Sequence, residues 1–211
     1  MDGSKANSHG NAPDKSPIAL LLIDVINDLE FPTGEQLLEQ ALPMAKAVHS
    51  LVEQARHAYV PVIYVNDNFG RWRSDFHAQV EHCLHDGVRG REIADLLRPI
   101  ETDYFILKPK HSGFYCTNLE LLLKHLGASS LILTGITADN CVLFTANDAY
   151  MRDFKLWVPR DCVASHTQED RKYALRQMEK VLKANTSGLD QMTSFESIHQ
   201  LLLGWTQKLV T

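Results

Sequence analysis

Five short runs of this chain are apolar on both faces and rich in β-branched residues. They are 18–24 (IALLLID), 61–66 (PVIYVN), 104–108 (YFILK), 130–135 (SLILTG) and 155–159 (KLWVP). A strand with one wet face alternates apolar with polar residues; a strand buried between two layers has no reason to. Helical patterns separate the runs. Pro43 fits a first-turn position, followed by Val48, Leu51, Val52 and Ala55 at three-to-four spacing. Leu119, Leu122, Leu123 and Leu126 repeat the pattern before a stop at Gly127. Val142, Thr145, Ala146 and Ala149 form a small-residue stripe that lets a helix lie close to a sheet, and Leu175, Met178, Val181 and Leu182 form another. A last helix is expected over 197–209. Strands that alternate with helices are joined by crossovers, and crossovers make the sheet parallel. The expected fold is α/β: three layers, αβα, with a parallel sheet of five to six strands flanked by helices.

Neither an internal repeat nor a low-complexity linker interrupts 17–211, so this stretch reads as one domain. Residues 1–16 are small, polar and broken by Gly and Pro, without the apolar centre of a secretory signal, and are expected to be a mobile tail. Basic residues number 21 against 26 acidic, a formal net charge of −5, which argues against a nucleic-acid or anionic-membrane partner. Four cysteines, Cys83, Cys116, Cys141 and Cys162, form no CxxC pair and no disulfide framework. A reduced, cytoplasmic protein with packing thiols is the expectation. The irregular stretch 67–103, rich in Arg, His, Asp and Trp, follows a strand's carboxyl end, where α/β proteins keep substrate-binding apparatus.

In an open parallel sheet the site lies beyond the carboxyl ends of the strands. Asp24 closes the first run and Lys108 the third. Six residues after Gly135, which ends the fourth, Cys141 stands in ITADNCV, with Asp139 or Asn140 suited to cap the helix that follows. Taken singly, each has a bland reading: a turn cap, a solvated charge, a packing thiol. Their placement at one sheet edge changes the odds. A thiol at a helix N-terminus near an ammonium is expected to lean toward thiolate, and the same terminus offers free N–H groups to an oxyanion. If the third strand lies two places from the first, the gap of ~10 Å calls for a side chain as long as lysine.

The stretches IALLLIDVINDL, LKPKHSGFYCTNLELLL and LILTGITADNCVLFTANDAYMRDFKLWVPRDCVAS resemble the isochorismatase-like cysteine hydrolases across about 18–185. The resemblance implies a catalytic Asp24, Lys108 and Cys141. It also implies a cis peptide at Ile136–Thr137 and an oxyanion hole made by the backbone N–H groups of Thr137 and Cys141. Two departures matter. Many members read Asp-x-Gln-x-x-Phe where this chain has Asp24, Ile26 and Leu29. Nicotinamidase-like members carry Asp-x-His for a metal, whereas the stretch here is Asn66-Asp67-Asn68-Phe69-Gly70. His77, His82 and His85 match no strong zinc spacing. No metal and no cofactor are therefore expected.

The implied reaction is hydrolysis of an amide, ureide or carbamoyl C–N bond in a small molecule through a thioester on Cys141. The alternatives are vinyl-ether hydrolysis by Asp24 and Lys108 without covalent catalysis, nicotinamidase activity, and a non-enzymatic receiver-like domain. A receiver needs its phosphorylatable Asp where this chain has Lys108. Phe69, Trp72, His111 and Phe114 are the candidate substrate contacts, with Arg71 and Arg73 able to meet a carboxylate. A homo-oligomer, dimer or tetramer, is expected.

Overall fold

The computed structural model describes residues 15–70, 75–192 and 194–195. Its strands are β1 (Ile18–Ile23), β2 (Val62–Asp67), β3 (Tyr104–Lys108), β4 (Ser130–Ile136), β5 (Lys155–Trp157) and β6 (Val163–Ala164). The helices are α1 (Gly34–His57), α2 (Phe76–His85), α3 (Arg91–Leu96), α4 (Leu119–Leu126), α5 (Leu143–Tyr150) and α6 (Gln168–Leu182). A π-helical turn, Ala138–Val142, leads into α5. The sheet runs β3-β2-β1-β4-β5, with β6 paired to the end of β4, and every pairing is parallel. The α/β expectation holds. The proposed tail, Trp72 and its flanking arginines, and the helix expected at 197–209 lie outside the described residues, apart from Lys15 and Ser16 at the tail's end.

Strand periodicity divides the core. Ile18, Leu20 and Leu22 pack in one layer with the inner faces of α1, α2 and α3, while Ala19, Leu21 and Ile23 pack in the other with α4, α5 and α6. Every residue of β1 is buried, which is why its sequence shows no alternation.

Three local expectations need correction. Pro43 does not begin α1 but sits inside it, nine residues past Gly34. A proline removes one intrahelical bond, yet Pro43 and Glu39, whose carbonyl it leaves free, are both exposed to water. The buried face (Leu37, Ala41, Met44, Val48, Leu51, Val52) holds the helix together across the break. The stretch 67–103 is not irregular throughout, because it contains α2 and α3; Asp75 caps α2 by accepting from the Ala78 amide at 2.7 Å. On α6, Val181 is half-exposed and Ala174 takes its place in the buried stripe.

The chain lays down β1, β2 and β3 in one direction, then restarts with β4 on the far side of β1. The topological switch therefore falls between β1 and β4. The two backbones are pressed together there: Gly135 has φ +111°, and a Cβ on it would lie 2.0 Å from the Ile23 carbonyl oxygen. Only glycine lets the switch close this tightly. Among the described residues no helix is long and apolar enough to cross a membrane.

Candidate active site

Asp24, Lys108 and Cys141 meet beyond the strand ends. Asp24 follows β1 with φ +53°, a left-handed conformation that aspartate tolerates better than most residues. Its amide bonds the Val65 carbonyl, tying it to β2. Lys108, the last residue of β3, has a side chain with no exposed surface. Its Nζ crosses above β2 and stops 2.9 Å from Asp24 Oδ2 and 3.5 Å from Cys141 Sγ. With β3 two places from β1, the long side chain does span the gap.

Cys141 is half-buried within the π-helical turn, where the Thr137 carbonyl accepts from the amides of both Asn140 and Val142. Neither Asp139 nor Asn140 is the cap; Thr137 occupies that place without a side-chain bond. Asp139 instead accepts from the Ser165 hydroxyl at 2.5 Å, which ties the turn to the residue after β6. The Ile136–Thr137 peptide is cis.

A fourth group belongs to the cluster, and it was not singled out from the sequence. Asp67 ends β2 in register with Lys108. Its carboxylate oxygen Oδ2 lies 3.4 Å from Lys108 Nζ, and its amide donates to Asp24 Oδ1 at 2.7 Å. The available signal was positional: three neighbouring parallel strands, each closing on a charged residue.

The charges explain the resting protonation state. Burial pushes the Asp24 carboxyl above its ordinary range, against the pull of Lys108, the Cys141 thiol and the Asp67 amide. Burial alone would lower the Lys108 ammonium, but Asp24, the Cys141 sulfur and Asp67 together hold it higher than an ordinary lysine. The Cys141 thiol is pushed up to about 12, first by burial and then by Asp24, with Lys108 opposing. This corrects the expectation of a lean toward thiolate. Burial and the adjoining Asp24 charge outweigh the pull of Lys108, so Cys141 rests as a neutral thiol beside a carboxylate able to take its proton.

Lys108 and Asp24 form a buried pair, so removing one partner is costly. Lys108→Met is expected to lower stability by roughly 3–5 kcal/mol in chemical denaturation, since it strands the Asp24 charge. Asp24→Asn added to Lys108→Met is expected to recover most of that loss and none of the activity.

The candidate substrate contacts fare unevenly. Phe114 is a core residue: it is buried in the α4–α6 layer, beside Phe154 and beneath the Arg152 guanidinium. His111 is exposed, its ring 5.4 Å from that of Phe144, three residues beyond Cys141. Phe69 is half-exposed and lines a cavity of about 310 Å³ with Ile26, Phe31, Gln79 and His82.

The metal position of nicotinamidase-like members is not reproduced by the donors present. Asp67 has one carboxylate oxygen on Lys108 and the other on the Phe69 amide, and Phe69 stands where a histidine would be needed. His82 is held between Asp86 and Asp28, His85 lies beside Glu81, and His77 packs edge-on against Phe105. Among the described residues no three His, Cys, Asp or Glu side chains converge as a metal site.

Comparison with known proteins gives a consistent result. A family model described as the isochorismatase domain matches residues 18–189. The chain is 42% identical over 178 residues to the uncharacterized isochorismatase family protein YaaI of Bacillus subtilis, covering 84% of this chain and 97% of that protein. Among solved structures it resembles the N-carbamoylsarcosine amidase of Thermoplasma acidophilum, with 28% identity and a TM-score of 0.65 over 85% of this chain and all of that one. It also resembles the nicotinamidase PncA of Bacillus subtilis, with 25% identity and a TM-score of 0.64 over 82% of this chain and all of that one.

Proposed function

Because the chain belongs to the isochorismatase family, we propose that it is a cysteine hydrolase that cleaves a C–N bond of a small amide, ureide or carbamoyl compound. The observation that carries this reading is the single buried ammonium within reach of both Asp24 and the Cys141 sulfur. Two of the solved relatives bear amidase names, which supports the same bond type.

The chemistry follows from the resting charges. Asp24 takes the Cys141 proton as the sulfur attacks the carbonyl carbon, and Lys108 steadies the negative charge that passes between carboxylate and sulfur. The oxyanion is received by the backbone amides of Thr137 and Cys141. Asp24 then passes its proton to the departing nitrogen, leaving a thioester and an ionised carboxylate. In the second half Asp24 draws a proton from water, hydroxide attacks the thioester, and the thiol re-forms with that same proton. No step calls for a metal or a cofactor.

Ammonia or amine release across a panel of small amides, ureides and carbamoyl compounds tests the reading. At least one compound is expected to turn over, and EDTA is expected to leave its rate unchanged. Turnover confined to vinyl ethers, and preserved in Cys141→Ala, would assign the ether-cleaving chemistry in its place.

A further inference from the structure

We propose that Asp67 is a positioning residue that keeps Lys108 charged and aimed through the steps in which Asp24 holds a proton. The inference rests on the proposed roles of Asp24, Lys108 and Cys141.

An ammonium has three N–H donors, and Lys108 has three acceptors within reach: Asp24 Oδ2 at 2.9 Å, Asp67 Oδ2 at 3.4 Å and Cys141 Sγ at 3.5 Å. Two of the three change during the reaction. In each tetrahedral adduct the sulfur is bonded to carbon and carries no charge, while Asp24 holds the transferred proton. A fully buried ammonium is then left with one anionic neighbour inside the cluster, and that neighbour is Asp67. Without it the buried cation loses its counter-charge when Asp24 is neutral, and the lysine is driven to release its proton.

The anchoring of Asp67 fits this role. Its amide donates to Asp24 Oδ1 at 2.7 Å, and its carbonyl accepts from Gln79 Nε2 at 3.1 Å. Its Oδ1 accepts from the Phe69 amide at 2.6 Å, which leaves Oδ2 pointed at Lys108. A carboxylate that served only to close a turn would not need its second oxygen aimed at a buried lysine. The charged and titratable groups at this point are Asp24 after β1, Asp67 on β2, Lys108 on β3 and Cys141 in the turn before α5. Removing the Asp67 charge subtracts one like charge from the surroundings of Asp24 and one counter-charge from Lys108. Both effects lower the pH at which each group loses its proton.

The test measures the rate of Cys141 alkylation by iodoacetamide against pH in the wild type, Asp67→Asn and Asp67→Glu, with melting temperatures alongside. This readout needs no substrate, so failure to find one leaves it intact. Asp24→Asn run in parallel reports whether the Asp24–Cys141 pair works as proposed, separately from Asp67. In Asp67→Asn the acid limb is expected to move down by about half to one pH unit, and turnover is expected to begin its alkaline fall at a lower pH than in the wild type. Turnover of whichever panel compound reacts is expected to fall about tenfold through kcat, and Asp67→Glu is expected to restore most of both. Limbs that stay in place overturn the proposal. So does an equal loss in Asp67→Asn and Asp67→Glu that tracks a drop in melting temperature, because that pattern marks a purely structural residue.

Discussion

Cys141→Ala and Cys141→Ser are each expected to lower turnover of an amide substrate by at least ~10³-fold while leaving the fold intact. The proposed nucleophile packs at the margin of the core and is not one of its fully buried residues. Cys141 is half-buried, whereas the core it adjoins is filled by Val142, Ala138 and the inner faces of α5 and α6. Truncation to alanine removes one sulfur at the mouth of the turn, so the melting temperature should change little. Serine is the sharper variant. It keeps the shape and a donor, but a hydroxyl is a far weaker acid than a thiol, and the Asp24 carboxylate is a weak base for it. Retention of near-native amide turnover in either variant would contradict covalent catalysis. Stopped assays with denaturation curves on the same preparations separate lost chemistry from lost fold.

Asp24→Asn is expected to cost about 10³-fold in kcat, comparable to loss of Cys141, because in the proposed mechanism one side chain carries the proton in four transfers per cycle. Asparagine retains the acceptor for the Asp67 amide and can neither take nor return a proton. The pH dependence carries the sign. The proposed mechanism requires Asp24 ionised, and burial raises its proton affinity, so activity is expected to fall as pH drops through a value above the ordinary carboxylate one of about 4. Lys108→Met removes the cation that opposes this shift, so its acid limb is expected at higher pH than that of the wild type. With Lys108 held high and Cys141 pushed up to about 12, no alkaline limb is expected in the mildly basic range. A profile rising steadily through pH 8 and 9 would instead point to a free thiol titrating toward thiolate.

What could be read from the sequence, and what could not, divides along physical lines. Asp24 and Lys108 stand out because each is a charged residue ending a run of buried apolar ones, and a parallel sheet puts such ends on one edge. Cys141 stands out by its distance from the end of the fourth strand. Asp67 is equally polar and equally terminal, yet its importance depends on pairing in register with Lys108, and register is a property of two strands together. The thiol's protonation state depends on how deeply the fold buries it and on the Asp24 carboxylate beside it, and neither can be read along the chain. Phe114 drew attention as an aromatic close to the Lys108 motif, but the chain between them turns it into the α4–α6 layer. The helices α2 and α3 are too short and too polar on their outer faces to show a clear period.

The most direct test of the central claim is the pH dependence of iodoacetamide labelling at Cys141, mapped by mass spectrometry, with added N-acetylcysteine as the reference thiol. A thiol that titrates alone reacts roughly tenfold faster per pH unit until it is ionised. A thiol sharing one proton with a carboxylate has a fixed reactive fraction once that carboxylate has given up its own proton. The expected result is a Cys141 rate that is flat from neutral pH to about pH 9 while the rate of the reference thiol climbs, with the plateau lost in Asp24→Asn. A Cys141 rate that climbs tenfold per unit beside that of the reference thiol, with or without Asp24, would contradict the shared-proton mechanism.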